Sequence, residues 1–136
     1  MNSRPAQFPF VDHGLGDAAR LPMLPLELSF GATSISVSGL VDSGSTINVL
    51  PFDLGIQLGA VWEQQTIPVR LTGNLASAEA RVLIVTARVG EFAPVKLAFA
   101  WTKLDSVPVI LGQINFFLEF DVCLFRSRGV FEVRPK

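Results

Sequence analysis

Residues Ser38–Pro51, SGLVDSGSTINVLP, decide how this chain is read. Asp42 follows the apolar pair Leu40-Val41 and precedes a second apolar run, Ile47-Asn48-Val49-Leu50. A carboxylate flanked in this way is drawn toward a core, where an uncompensated charge is costly. Asp42-Ser43-Gly44-Ser45 admits three readings. The plainest is a turn, since Asp and Ser bond their own backbone and Gly accepts positive φ. A serine nucleophile at Ser43 fails the Gly-x-Ser-x-Gly pattern, and the only histidine, His13, lies in a loose N-terminal stretch. In the third reading, an apolar strand delivers Asp42 to a tight loop, Gly44 lets the backbone close around it, and another apolar strand leaves.

On both sides of this loop the texture is β. Leu24–Phe30 (LPLELSF) and Ser34–Val41 (SISVSGLV) alternate apolar and polar positions, as half-buried strands do. Pro68–Thr72 (PVRLT) and Glu79–Val89 (EARVLIVTARV) continue the pattern, with Gly73-Asn74 as the turn signal between them. Gly90-Glu91 separates the latter from Pro94–Trp101 (PVKLAFAW), which predicts a second hairpin. A third is predicted where Asp121–Phe125 and Gly129–Val133 flank a turn at Arg126–Gly129. Helix signals are short. Pro51–Ala60 opens on a good first-turn proline, but Gly55 and Gly59 limit it to a turn or two, and Gly112–Phe120 allows one short amphipathic helix. The expected fold class is all-β, a small closed barrel with one or two short helices. Residues 1–20, rich in Pro and Gly, read as an irregular arm, and residues 21–136 as a single domain.

Composition narrows the function classes. With 49% apolar and 17% charged residues, the 136-residue chain can bury a real core and is not expected to be disordered. Its 11 basic and 12 acidic residues give a net charge of −1 with no basic block, which argues against a nucleic-acid partner. The N-terminus lacks a long apolar run and is broken by Pro5, Pro9 and Asp12, so no signal peptide is expected. No window approaches the roughly 18 uninterrupted apolar residues of a membrane span. The single cysteine, Cys123, cannot form an internal disulfide, and a cytoplasmic location is expected.

The third reading of the acid loop carries chemistry. Two such acids brought together would share one proton, because adjacent like charges resist ionising together. One carboxylate could then accept a proton from water while its protonated partner polarises a peptide carbonyl. LVDSGSTINVLP resembles the active-site loop of retropepsin-like aspartic proteases, an apolar pair followed by Asp-Thr/Ser-Gly. Downstream, VPVILGQINFF (Val107–Phe117) resembles their second signature, bulky apolar residues ending in Gly and followed by a short helix. The intervening order, a hairpin around Gly73 and then strands around Gly90, also matches, so the resemblance covers Leu24 to Val133.

The resemblance implies a homodimeric, cellular and bacterial-type aspartic endopeptidase. Only one Asp-Ser-Gly occurs, and Asp12, Asp17, Asp53, Asp105 and Asp121 lack its setting, so a working site implies two copies of Asp42 related by a two-fold axis. Asp42 would be the catalytic acid/base. Ser43 would reach across the axis to the partner's backbone, and Gly44 would let substrate approach closely. Leu71, Gly73 and Asn74 would form a flap over a bound peptide. Ile110 would line a subsite, Leu111 would support the loop, and Gly112 would let the two elements pack. Ser45, where retroviral members more often carry Ala, is placed to donate a hydrogen bond to the outer oxygen of Asp42. The flap has one central Gly in place of a glycine-rich tip. No metal or organic cofactor is implied, and the substrate would be a peptide or unfolded protein. A noncatalytic homodimeric peptide-binding module on the same fold is the alternative, and the intact Asp-Ser-Gly argues against it. Trp62 and Trp101 are expected in the barrel or at its rim, Phe116, Phe117 and Phe120 in the core or a dimer contact, and Cys123 buried. Asp53 and Asp105 read as solvated turn acids.

Overall fold

The computed structural model of the chain describes residues 4–12 and 19–136. Strands β1 (Ala6–Pro9), β2 (Met23–Phe30), β3 (Thr33–Val41) and β4 (Asn48–Leu50) precede a short helix α1 (Phe52–Gln57). Strands β5 (Ala80–Arg88), β6 (Val95–Thr102) and β7 (Val109–Leu111), helix α2 (Phe116–Glu119), and strands β8 (Phe120–Phe125) and β9 (Val130–Pro135) follow. Six strands close a barrel in the order β2-β3-β7-β4-β6-β5, and β1, β9 and β8 form a separate three-stranded sheet.

The alternation read from the sequence places the core. Leu24, Leu26 and Leu28 of β2 point into the barrel, while Glu27 between them faces out and reaches Arg88 at 3.5 Å. Leu83, Val85 and Ala87 of β5 and Leu97 and Phe99 of β6 close the same core from the other side. The β2–β3 hairpin turns at Gly31 and the β5 end turns at Gly90, both at positive φ (59° and 53°), where a side chain would be strained. Trp101 is fully buried, stacks on Phe52 at 5.5 Å and meets Trp62 edge-on at 5.2 Å. Its indole N–H donates to the Phe52 carbonyl at 3.0 Å, the partner a buried Trp requires. Gly55 lies against this indole with no room for a Cβ, so a glycine that is a poor helix former is kept in α1 by packing.

What positions the site is the path of β7. It pairs in parallel with β3 (Gly39↔Val109, Leu40↔Ile110, Val41↔Leu111) and antiparallel with β4 at Val49↔Ile110. The strand that enters the Asp42 loop and the strand that leaves it are therefore clasped on the same short β7.

Three expectations are corrected. Within the stretch read as an irregular arm, Ala6–Pro9 is a strand on β9 (Ala6↔Val133 to Pro9↔Val130), with Phe8 packed on Phe131 at 5.6 Å. Proline is tolerated there because β1 is an edge strand. Pro68–Thr72 is not a strand; it pairs only at the isolated bridge Pro68↔Arg81, and residues 73–75 form a 3₁₀ turn. Cys123 is exposed, because alternation along β8 buries Phe120 and turns Asp121 and Cys123 outward. Asp105 is exposed in a bend, as expected, and in addition its Oδ1 accepts the Asp53 N–H at 2.7 Å and supplies α1 with a cap from another segment. His13 and Asp17 lie outside the described residues.

Candidate active site

Asp42 stands half-buried at the end of β3. Its N–H donates to the Leu111 carbonyl at 3.0 Å, and its own carbonyl accepts the Ser45 N–H at 3.1 Å, closing a tight turn. The side chain folds over that turn, where Oδ1 accepts the Gly44 N–H at 2.9 Å. A Cβ on Gly44 would lie 3.3 Å from the same oxygen, so glycine keeps the carboxylate uncrowded.

The loop is stitched along its length to the segment after β7. Gln113 N–H donates to the Ser45 carbonyl at 2.9 Å, Ile114 N–H to Thr46 at 3.0 Å, and Asn48 N–H back to Ile114 at 3.0 Å. Gly112 lies at the centre of this seam. A Cβ there would collide with the Ile47 carbonyl and come within 2.8 Å of the Ser45 carbonyl, both backbone atoms that cannot swing aside. Gly39 is similarly close to Leu111, whose Cδ1 would be 2.9 Å from an added Cβ.

Beneath the seam lies a polar network that the sequence reading missed. Asn48, fully buried in β4, accepts the Gly112 N–H on Oδ1 at 2.8 Å and donates through Nδ2 to the Ala98 carbonyl at 3.0 Å and to Asn115 Oδ1 at 3.2 Å. Asn115 in turn accepts the Ala98 N–H and donates to the Lys96 carbonyl, both at 3.0 Å. One buried amide thus joins β4, β6 and the β7–α2 connection at the base of the Asp42 loop. The signal was present in the sequence. An Asn inside the run Ile47-Asn48-Val49-Leu50 must find partners if its strand is buried. Gln113, also missed, donates from Nε2 to the Ser43 carbonyl at 2.8 Å.

The structure brings Asp42, Ser43, Gly44 and Ser45 together with Ile110, Leu111 and Gly112. Ser45 departs from expectation, because its hydroxyl donates to the Ile47 carbonyl at 2.7 Å and turns along the exit of the loop, away from the Asp42 carboxylate. Among the segment expected to cover the site, Leu71 is buried against Val49, Ala80 and Ala100. Leu75, Ala78, Val107 and Ile110 pack on this same small cluster, so the 67–79 segment is seated on the β4–β7 face by apolar contacts. Gly73 (φ 64°) and Asn74 are exposed at its turn, and a Cβ on Gly73 would meet nothing within 4 Å. A cleft of about 130 Å³ opens between the segment and the loop exit, lined by apolar residues that include Ile47, Val69, Val82, Ala98 and Ile114. Among the described residues, no cluster of three or more His, Cys, Asp or Glu side chains is disposed to hold a metal ion, and no helix is long and apolar enough to cross a membrane.

No protein-family model matches the chain, and no curated protein matches it in sequence. Solved structures do match. A retropepsin-like aspartic protease from Rickettsia conorii superimposes with a TM-score of 0.59 at 12% identity, over 98% of this chain and 94% of that one. EIAV protease complexed with the inhibitor HBY-793 superimposes with a TM-score of 0.51 at 18% identity, over 76% of this chain and 88% of the other. The closed barrel, the clasp of β3 and β4 on β7, and these neighbours give the chain the retropepsin-like fold of aspartic proteases.

Proposed function

We propose that the chain is a retropepsin-like aspartic endopeptidase, active as a homodimer in which two Asp42 carboxylates meet at the two-fold axis. The observation that carries this reading is the setting of Asp42, half-buried on a turn clamped to Leu111, with one carboxylate oxygen bonded by Gly44. The chain offers one such loop, so a pair of acids needs a second copy. In the dimer, one carboxylate accepts a proton from water and the protonated other polarises the scissile carbonyl. Ser43 ties the two loops across the axis, and the 67–79 segment, with Gly73 and Asn74 at its turn, closes over the peptide and excludes water. The apolar cleft at Ile47 and Ile114 suits an aliphatic substrate side chain.

The test is cleavage of an unfolded protein at mildly acidic pH by the parent and by Asp42→Asn. Asn can hydrogen-bond but cannot take a proton from water, so turnover falls by roughly 10²-fold or more, while sedimentation shows a dimer in both proteins. Undiminished cleavage by the purified variant would move the chemistry to another residue.

A further inference from the structure

We propose that Gln113 is a positioning residue for Asp42, acting through the Ser43–Gly44 peptide group; the proposal rests on the catalytic reading of Asp42 above. The Gln113 amide donates from Nε2 to the Ser43 carbonyl at 2.8 Å. The N–H of that same peptide group, on Gly44, donates to Asp42 Oδ1 at 2.9 Å. A peptide group is planar, with its C=O and N–H pointing in opposite directions. Holding the carbonyl therefore aims the N–H, and the N–H holds the carboxylate.

This peptide needs an outside hold. It is flanked by Gly44, whose backbone is free to rotate, and both Ser43 and Gly44 are exposed. The Asp42 turn and the β7 clasp fix the residues on either side, through Asp42 N–H to Leu111 and Gln113 N–H to Ser45, but neither touches the Ser43–Gly44 plane. Gln113 thus grips the loop twice, by its main chain at Ser45 and by its side chain at Ser43. A donor on the carbonyl also polarises the amide, which strengthens the N–H bond to the carboxylate. Gln113 itself is exposed, so its side chain contributes little to the core and is separable from folding.

The test uses the full chain with Gln113→Met, which keeps length and removes the donor, Gln113→Glu, which places only acceptors at the Ser43 carbonyl, and Gln113→Arg, which restores a donor. Three measurements are made: peptide-cleavage kinetics, the thermal midpoint, and the ¹H shift of the Gly44 amide. Met and Glu lower kcat by about tenfold with KM changed less than about twofold, and Arg recovers kcat to within about threefold. The midpoint stays within about 2 °C, as for an exposed side chain. The Gly44 amide resonance moves upfield in Met and Glu and returns in Arg. A Gly44 amide that stays in place in Gln113→Met overturns the proposal, and so does a full kcat in that variant. If Asp42→Asn cleaves like the parent, it is the catalytic reading that fails, and the Gly44 resonance still decides whether Gln113 sets the Asp42 carboxylate.

Discussion

The Asp42 loop and the 67–79 segment both rest on β4 and β7 and are held by different means. The loop is fastened by hydrogen bonds, from Asp42 N–H on Leu111 to the buried Asn48 amide under Gly112. The 67–79 segment is bonded at its base, by Val69 N–H to Ala80, Val82 N–H to Ile67, and Lys103 N–H and the Thr102 hydroxyl to Glu79, and closes its turn with local bonds. Between base and turn it rests on apolar contacts of Leu71, Leu75 and Ala78. Hydrogen bonds fix direction as well as distance, whereas apolar contact is non-directional and scales with area. The difference fits the two tasks proposed for them. A carboxylate that must meet its twin needs a fixed aim, and a cover that admits a peptide needs a seat it can leave.

Gly112→Ala is the hardest test of the fastened side. Its added methyl meets the Ile47 and Ser45 carbonyls, which are themselves tied into the seam, so relief requires the loop to part from β7. The expected cost is about 3 kcal/mol or more, lowering the midpoint of thermal unfolding by roughly 10 °C. Cleavage by whatever remains folded falls with it. A variant that melts and cuts like the parent would show that the seam yields as easily as the cover.

Gly73→Val probes the other side and should show the reverse balance. The φ of 64° strains a β-branched residue, yet a Cβ there meets nothing within 4 Å. The cost is conformational only, about 1–2 kcal/mol, and the turn can relax because little packs on it. If the segment is the flap, turnover drops by more than that loss of stability explains. Parallel losses in melting and turnover would make it a fixed structural turn and dissolve the contrast.

How far each region was legible follows from the same physics. The strands flanking Asp42 could be read because period-two burial and turn chemistry are local properties, whereas the Ile110–Gly112 signature was legible only through its resemblance to the retropepsin-like family. The segment at Pro68–Thr72 carried the pattern of a strand without becoming one. Its alternation, Val69 and Leu71, serves packing on Val49 and Ile110 and not a ladder. β1 was hidden because Pro5 and Pro9 bound it, and only its edge position on β9 permits that. Cys123 was misjudged from the apolar composition of β8, although Asp121 two residues earlier shares its face and marks that face as outward. Asn48 was noticed as part of a run and not as an orphan donor and acceptor in search of partners. Gln113 could not be found at all, since a side chain reaching the Ser43 carbonyl across the fold leaves no trace in spacing.

Ser45→Ala carries the smallest effect and tests the fine structure of the fastened loop. The sequence placed this hydroxyl near the outer oxygen of Asp42, and the structure turns it to the Ile47 carbonyl at 2.7 Å. That carbonyl is the one pressed against Gly112, so the bond braces the loop exit at the seam. Removing it leaves a half-buried acceptor short of a partner, which costs about 0.5–1.5 kcal/mol, or a few degrees in the midpoint at about 3–4 °C per kcal/mol. Because the hydroxyl does not touch the carboxylate, kcat should stay within about twofold of the parent while the midpoint falls. The opposite pattern, an unchanged midpoint with a clear loss of kcat, would mean that the hydroxyl turns back to Asp42 once two loops face each other, and that the exit of the loop is less firmly set than its entry.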